Sequence, residues 1–129
     1  MSKGFETWWD SCESDIISVQ RILALRLSDE QSELMAQLTE IEAWHGRVTS
    51  MKAWANTFLS EAERKVLMER AEDWTDLDRR ADQKWKTADQ RRAAEILEGL
   101  ADGIKNRLIL GMSLMKAQSN ERVSGRVLS

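Results

Sequence analysis

The sequence contains no proline and no tyrosine, and only one cysteine, one histidine and six glycines among 129 residues. Average usage would supply about six prolines in a chain of this length. Proline and glycine are the residues that most often interrupt helices, so their scarcity favours long helices. A single cysteine cannot form an internal disulfide, which excludes a disulfide scaffold. The composition also excludes collagen-like and proline-rich disordered chains.

The remaining composition is that of one soluble helical domain, with 42% hydrophobic and 32% charged residues. The apolar stretch from Ile16 to Leu27 contains several polar residues, so it is neither a signal-peptide core nor a membrane span. We expect a cytoplasmic protein in which Cys12 is a small buried hydrophobic residue. Residues 1–118 are predicted to form a single helical domain, and residues 119–129, which show little periodicity, a flexible C-terminal tail.

Apolar spacing and capping motifs predict four helices. Positions repeating at intervals of four and three predict a first helix over residues 4–27. Ser28 with Gln31, and Ser60 with Glu63, match the capping box and predict the starts of the second and third helices. A fourth helix is predicted over 88–118, with Thr87 as a weaker cap. Gly46 leaves open whether the second helix is continuous, bent or split.

The expected fold is all-α, either a four-helix antiparallel bundle or elongated helical hairpins, and self-associating. The fourth helix is apolar on more than one side, which is typical of a bundle centre or a subunit interface. Residues 1–43 carry a net charge of −6 and residues 103–129 a net charge of +4, which favours head-to-tail association or an anionic partner, although a solvated basic end would look the same. The predicted interface residues are Trp8, Trp9, Leu100, Ile104, Leu108 and Met115.

No catalytic, cofactor or metal site is predicted. Glu42 and His45 have the Glu-x-x-His spacing of di-iron helical bundles, but such sites need a second pair and the chain has one histidine. An acidic cluster lacks the glycine of a calcium loop and is better explained as a solvated helix face; it consists of Asp73, Asp76, Asp78 and Asp82. There is no glycine-rich phosphate loop and no credible nucleophile–base pair. We therefore expect a non-enzymatic protein without a cofactor.

The tryptophans and the basic residues point to a different activity. Trp8, Trp9, Trp44 and Trp74 lie on apolar stripes and are predicted to be packing anchors. Trp85 lies between two lysines, a pattern that can stack on a base and pair with phosphates, although core packing with outward lysines explains it equally well. The candidate residues for binding single-stranded nucleic acid are Lys84, Trp85, Lys86, Lys105, Arg107 and Lys116.

The fourth helix resembles the terminal helix of UvsY-type recombination mediators of T-even-like phages. The similarity covers Lys86 to Gln118 and is carried by Leu97-Glu98-x-Leu100-x-x-x-Ile104-Lys105-Asn106-Arg107. The resemblance implies a small all-helical oligomer in the host cytoplasm that binds single-stranded DNA and helps to load a recombinase. It also implies that Ile104 is a packing position, and that Arg107 and Lys105 contact the ring or DNA.

Three hypotheses about the function therefore follow from the sequence. The first is a helical oligomer associated with single-stranded nucleic acid, resembling a mediator. The alternative is a helical structural or adaptor subunit of a larger assembly, such as a phage virion component or a small subunit or inhibitor of an RNA-guided effector. The third hypothesis is a helical enzyme with an inter-subunit metal site, and it rests on Glu42 and His45 alone.

Overall fold

A computed structural model of the chain is all-α, which confirms the predicted fold class. It describes the backbone of residues 2–69 and 75–128, and the side chains of residues 4–69, 75, 77, 78, 80, 81 and 84–121. The helices in these ranges are α1 (Ser2–Ser11), α2 (Glu13–Ala24), α3 (Gln31–Met68), α4 (Asp76–Lys86) and α5 (Ala88–Leu128). The predicted anchor Trp74 lies outside the described residues, as does most of the acidic cluster.

Helices α3 and α5 form a long antiparallel pair. They contain 38 and 41 residues, which corresponds to about 57 and 62 Å at the helical rise. At one end Glu63 lies 3.5 Å from Arg91, and at the other the side-chain amide of Gln118 donates to the backbone carbonyl of Asp29 at 2.7 Å. The end of α3 thus lies beside the start of α5, and the start of α3 lies beside the later part of α5, so the two helices are antiparallel. The result is an elongated hairpin whose connection contains α4.

Helices α1 and α2 pack along one side of this pair. Phe5 meets Phe58 edge-on at 5.7 Å between ring centroids, and Arg47 pairs with Asp15 at 3.0 Å. Cys12 is buried, as expected. The core forms where the α1–α2 segment meets α3 and α5. One cluster consists of Val19, Ile22, Ile41, Val48, Ala101 and Ile104. The other consists of Cys12, Met51, Ala55, Ala94 and Leu97.

The prediction of one helix over residues 4–27 is wrong, because this segment forms two helices and the second ends at Ala24. A turn at Cys12 separates α1 from α2, and the Cys12 amide is shared between the carbonyls of Trp8 and Trp9, at 3.2 and 3.0 Å. The apolar period therefore continues across the turn. Helix α2 ends at Ala24 because Leu25 adopts an extended backbone with ψ of 135°.

The predicted cap at Ser28 is also wrong. Helix α3 begins two residues later, and the Glu30 carboxylate accepts from the amides of Ser32 and Glu33 at 3.0 and 2.8 Å. An acidic N-cap suits the positive end of the helix dipole. The Ser28 hydroxyl donates instead to the Glu33 carboxylate at 2.7 Å.

Helix α3 is continuous at Gly46, where the sequence left a break open, and at Ser60, where the sequence predicted the start of a new helix. Gly46 does not break it, and Ser60, the predicted start of a third helix, is an exposed interior position. A capping box requires a non-helical residue at the cap, whereas Phe58 and Leu59 are already helical and partly buried here. The last helix runs to Leu128, so no break in the backbone marks the boundary predicted at residue 118.

Candidate interaction surfaces

A cluster of five aromatic side chains lies where α1 packs on α3, and Phe58 makes the ring contacts between the two helices. Phe5 stacks on Trp9 at 6.5 Å, Trp8 packs on Phe58 at 5.2 Å, and Trp54 extends the cluster with 6.1 Å between its ring and that of Phe58. Trp8 and Trp9 are partly buried and contact the core. The two tryptophans predicted at an interface therefore serve as anchors within the chain.

The other predicted interface residues divide into two groups. Ile104 is fully buried and belongs to the core, and Leu100 packs against it. Leu108 and Met115 are partly buried but also line an open groove between α3 and α5. Only this second group faces a surface that another molecule can reach.

The α3–α5 groove is an open concave surface with a volume of about 770 Å³. It lies on the side of the helix pair away from α1 and α2. On α3, the groove residue Thr49 and the α1 contact Phe58 are nine positions apart, which is half a turn out of phase; on α5, Met112 and the Leu23 contact Gly103 are likewise nine apart. The lining residues are Met35, Leu38, Thr39, Glu42, His45, Thr49, Lys52, Ala101, Asp102, Lys105, Leu108, Ile109, Met112 and Met115.

Both walls of the groove repeat with the spacing of a helix-packing seam. On α3 the positions are 35, 38, 42, 45, 49 and 52, and on α5 they are 101, 105, 108, 112 and 115. Alternating intervals of three and four place side chains in a line that a further helix can pack against. A pair of such lines on two adjacent helices is half of a four-helix core.

The groove has an apolar end and a charged end. Met35, Ile109 and Met112 are 54, 53 and 57% exposed at the end near the start of α3. The opposite half carries both signs of charge, on Glu42, Lys52, Asp102 and Lys105. None of these four has an ion-pair partner within the described part of the chain. Flexible, polarizable methionines are typical of surfaces that accept a docking helix.

The Lys84-Trp85-Lys86 sequence does not form one surface. Trp85 is 82% exposed, so the core-packing explanation of this residue is wrong. However, positions two apart on a helix differ by about 200°, and Lys86 lines a small pocket with Phe5 and Phe58 while Lys84 is directed elsewhere. Trp85 instead continues an exposed apolar line with Leu77, which is 76% exposed.

The basic residues predicted on the last helix also separate. Lys105 lies in the groove, whereas the Arg107 guanidinium donates to the backbone carbonyl of Leu23 in the last turn of α2. Lys116 is exposed about 16 Å further along the helix than Lys105. Lys86 belongs to α4 and lies in a pocket with Glu69 and Gln90, at the opposite end of the α3–α5 pair from Lys116. The structure thus does not bring the six predicted nucleic-acid residues together.

Burial governs the chemistry of the one thiol. The pKa of Cys12 is raised above its ordinary value, mainly by burial and further by the nearby Asp15 carboxylate, while a hydrogen bond with Ser11 opposes the shift. The thiol is therefore neutral and weakly nucleophilic at pH 7. Across the described ranges, no three His, Cys, Asp or Glu side chains form a metal-binding group. None of the described helices is long and apolar enough to cross a membrane.

Comparison with known proteins adds no further assignment, because no family model, curated protein or solved structure matches the chain. The resemblance to UvsY-type mediators stays a prediction.

The groove residues that sequence reasoning missed are Met35, Ile109 and Met112. The signal was present, because α5 carries a second apolar line at positions 108, 112 and 115 beside its core line. The sequence did not predict which side of the α3–α5 pair is covered by α1 and α2. This packing determines which apolar line of α5 remains exposed to solvent.

Proposed function

We propose that the protein is a non-enzymatic structural subunit that assembles through the α3–α5 groove. The observation that carries the proposal is the pair of open seams, each with the three–four spacing of a helix interface and facing the same groove. Self-association was expected from the sequence, and the two open seams of this groove support it.

The exposed side chains of the groove contribute to the free energy of this association. Full burial of a methionine or isoleucine contributes about 1.5–3 kcal/mol, so the half-exposed Met35, Ile109 and Met112 would each contribute about 1 kcal/mol. Two copies sharing one interface double this sum. The total offsets a substantial part of the entropy lost on association, which is of the order of 4–15 kcal/mol.

The test is the solution mass of Met112→Glu, with Met68→Glu as the matched control. Both methionines are exposed, but Met68 lies at the end of α3, outside the groove. Light scattering over a range of concentrations should give a mass above the 14.8 kDa monomer for the parent and the control, and a shift toward the monomer for Met112→Glu. A parent chain that stays monomeric throughout would refute the proposal.

A second candidate function is association with single-stranded nucleic acid, as in the mediators that the last helix resembles. The exposed ring of Trp85, beside the exposed Lys84, favours it, because an open indole face can stack on a base. Fluorescence anisotropy with a labelled oligo-dT strand should show binding that weakens steeply between about 50 and 200 mM salt. Trp85→Ala should lose it and Trp54→Ala should keep it; equal binding by both variants would exclude a role for Trp85.

A further inference from the structure

We infer that the groove is filled by a second copy of this chain, related to the first by a two-fold axis parallel to α3 and α5. The inference rests on the proposed assembly function and adds the identity and the orientation of the occupant. In this arrangement α3 of each copy lies against α5 of the other, and the four helices enclose one core.

The polarity of the groove selects this orientation. A two-fold axis parallel to the helices places each level of the groove against the same level in the second copy. The methionine end then meets the methionine end, and the charged end meets the charged end. An axis perpendicular to the helices would instead place Lys52 against Met35 and would bury a lysine head group among apolar side chains, which is costly.

The charges are complementary in the parallel arrangement. Leu38 packs against Gly111 within one chain, so in the antiparallel pair Glu42 lies level with residue 107, within about 3 Å of Lys105 along the axis. The two-fold axis sets Glu42 of one copy against Lys105 of the other, twice in each dimer. Lys52 lies level with residue 97, about 1.5 Å along the axis from Glu98 and about 7.5 Å from Asp102, and its long side chain can reach these carboxylates in the second copy. Opposite charges at matching levels fix the register of two helices.

Self-crosslinking of single cysteines tests the orientation. In a Cys12→Ala background, Met35→Cys and Lys52→Cys mark levels about 25 Å apart. With a short bismaleimide, each variant alone should give a covalent dimer, and the control Met68→Cys should give none. Crosslinking only in a mixture of the two variants would show the perpendicular axis and would overturn the inference.

Charge reversal tests the pairing independently. Glu42→Lys and Lys105→Glu should each raise the Kd of the dimer about tenfold, because each places like charges opposite one another twice. The double variant should return to within about threefold of the parent. A dimer that is lost in Met112→Glu but shows no recovery in the double variant would overturn the inference and leave the proposed function intact. A monomeric parent chain would overturn both.

Discussion

Replacing Gly111 by alanine measures how closely the two long helices approach. A Cβ atom at this position would overlap a terminal methyl group of Leu38 and would lie 3.2 Å from its Cγ atom. Leu38 would have to rotate toward the groove or α5 would have to shift. Gly99, on the same helix, has no neighbour within 4 Å of an added Cβ, so Gly99→Ala is the matched control.

The two substitutions should move stability in opposite directions. Alanine is favoured over glycine in a helix interior by about 0.8–1.0 kcal/mol, and Gly99→Ala should show this gain alone. Gly111→Ala has the same gain but also an overpacking cost of about 1–3 kcal/mol. We therefore expect it to be less stable than Gly99→Ala by about 1–3 kcal/mol, or about 3–10 °C in Tm for a chain of this size.

Urea unfolding followed by circular dichroism at one fixed protein concentration would measure the difference, because association changes apparent stability. Adding Leu38→Ala removes the overlapping methyl groups, so Gly111→Ala should cost less in that background. Equal stabilisation by Gly111→Ala and Gly99→Ala would refute the close packing of α3 and α5 at this level.

Three further outcomes are expected. Arg107→Ala should lower the free energy of unfolding by about 1–2 kcal/mol in urea titrations, because a charged hydrogen bond to the end of α2 is lost, and the control Lys116→Ala, an exposed position outside the groove, by much less. Glu30→Ala should lower the free energy of unfolding by about 1 kcal/mol, because the N-cap of α3 is lost, whereas Ser60→Ala, at an interior helical position, should not change it. A similar loss in both variants would show that Ser60 also caps a helix. Because burial raises the folded-state pKa of Cys12, its contribution to stability is complete below the unfolded thiol pKa of about 8.5 and is lost as pH rises from there through the higher folded-state pKa. Cys12→Ala should therefore flatten the pH dependence of unfolding in this alkaline range.

The sequence predicted the elements that depend on periodicity and composition. The absence of proline and of alternating strand patterns was enough for the all-α class. The buried faces of α2 and α5 follow the apolar spacing of their sequences, and Val19, Leu97 and Ile104, which lie on that spacing, are fully buried. These properties are local to one helix, and a helix displays its core-facing side in its own sequence.

Helix boundaries and surface assignments depended on contacts that a single segment does not contain. A Ser-x-x-Glu motif can cap a helix or lie within one, and Ser60 lies within one because the preceding aromatic turn is already packed on α1. The sequence of α5 alone suggested that Arg107 is a free cation, because its hydrogen-bond acceptor, the Leu23 carbonyl, belongs to α2. The divergence of Lys84 and Lys86 follows from helix geometry alone and could have been predicted.

The contacts at the two ends of the long hairpin differ in the length of chain that each must close. Glu63 and Arg91 are 28 positions apart, whereas Asp29 and Gln118 are 89 apart, a difference that corresponds to about 1 kcal/mol of closure entropy. Contacts between α3 and α5 should therefore form first beside α4 and then extend toward the start of α3. The methionine end of the groove lies at the end that closes last, so binding there would hold the hairpin shut. Folding of the last turns and association would then be one coupled equilibrium, and hydrogen exchange near Met35 should slow as protein concentration rises.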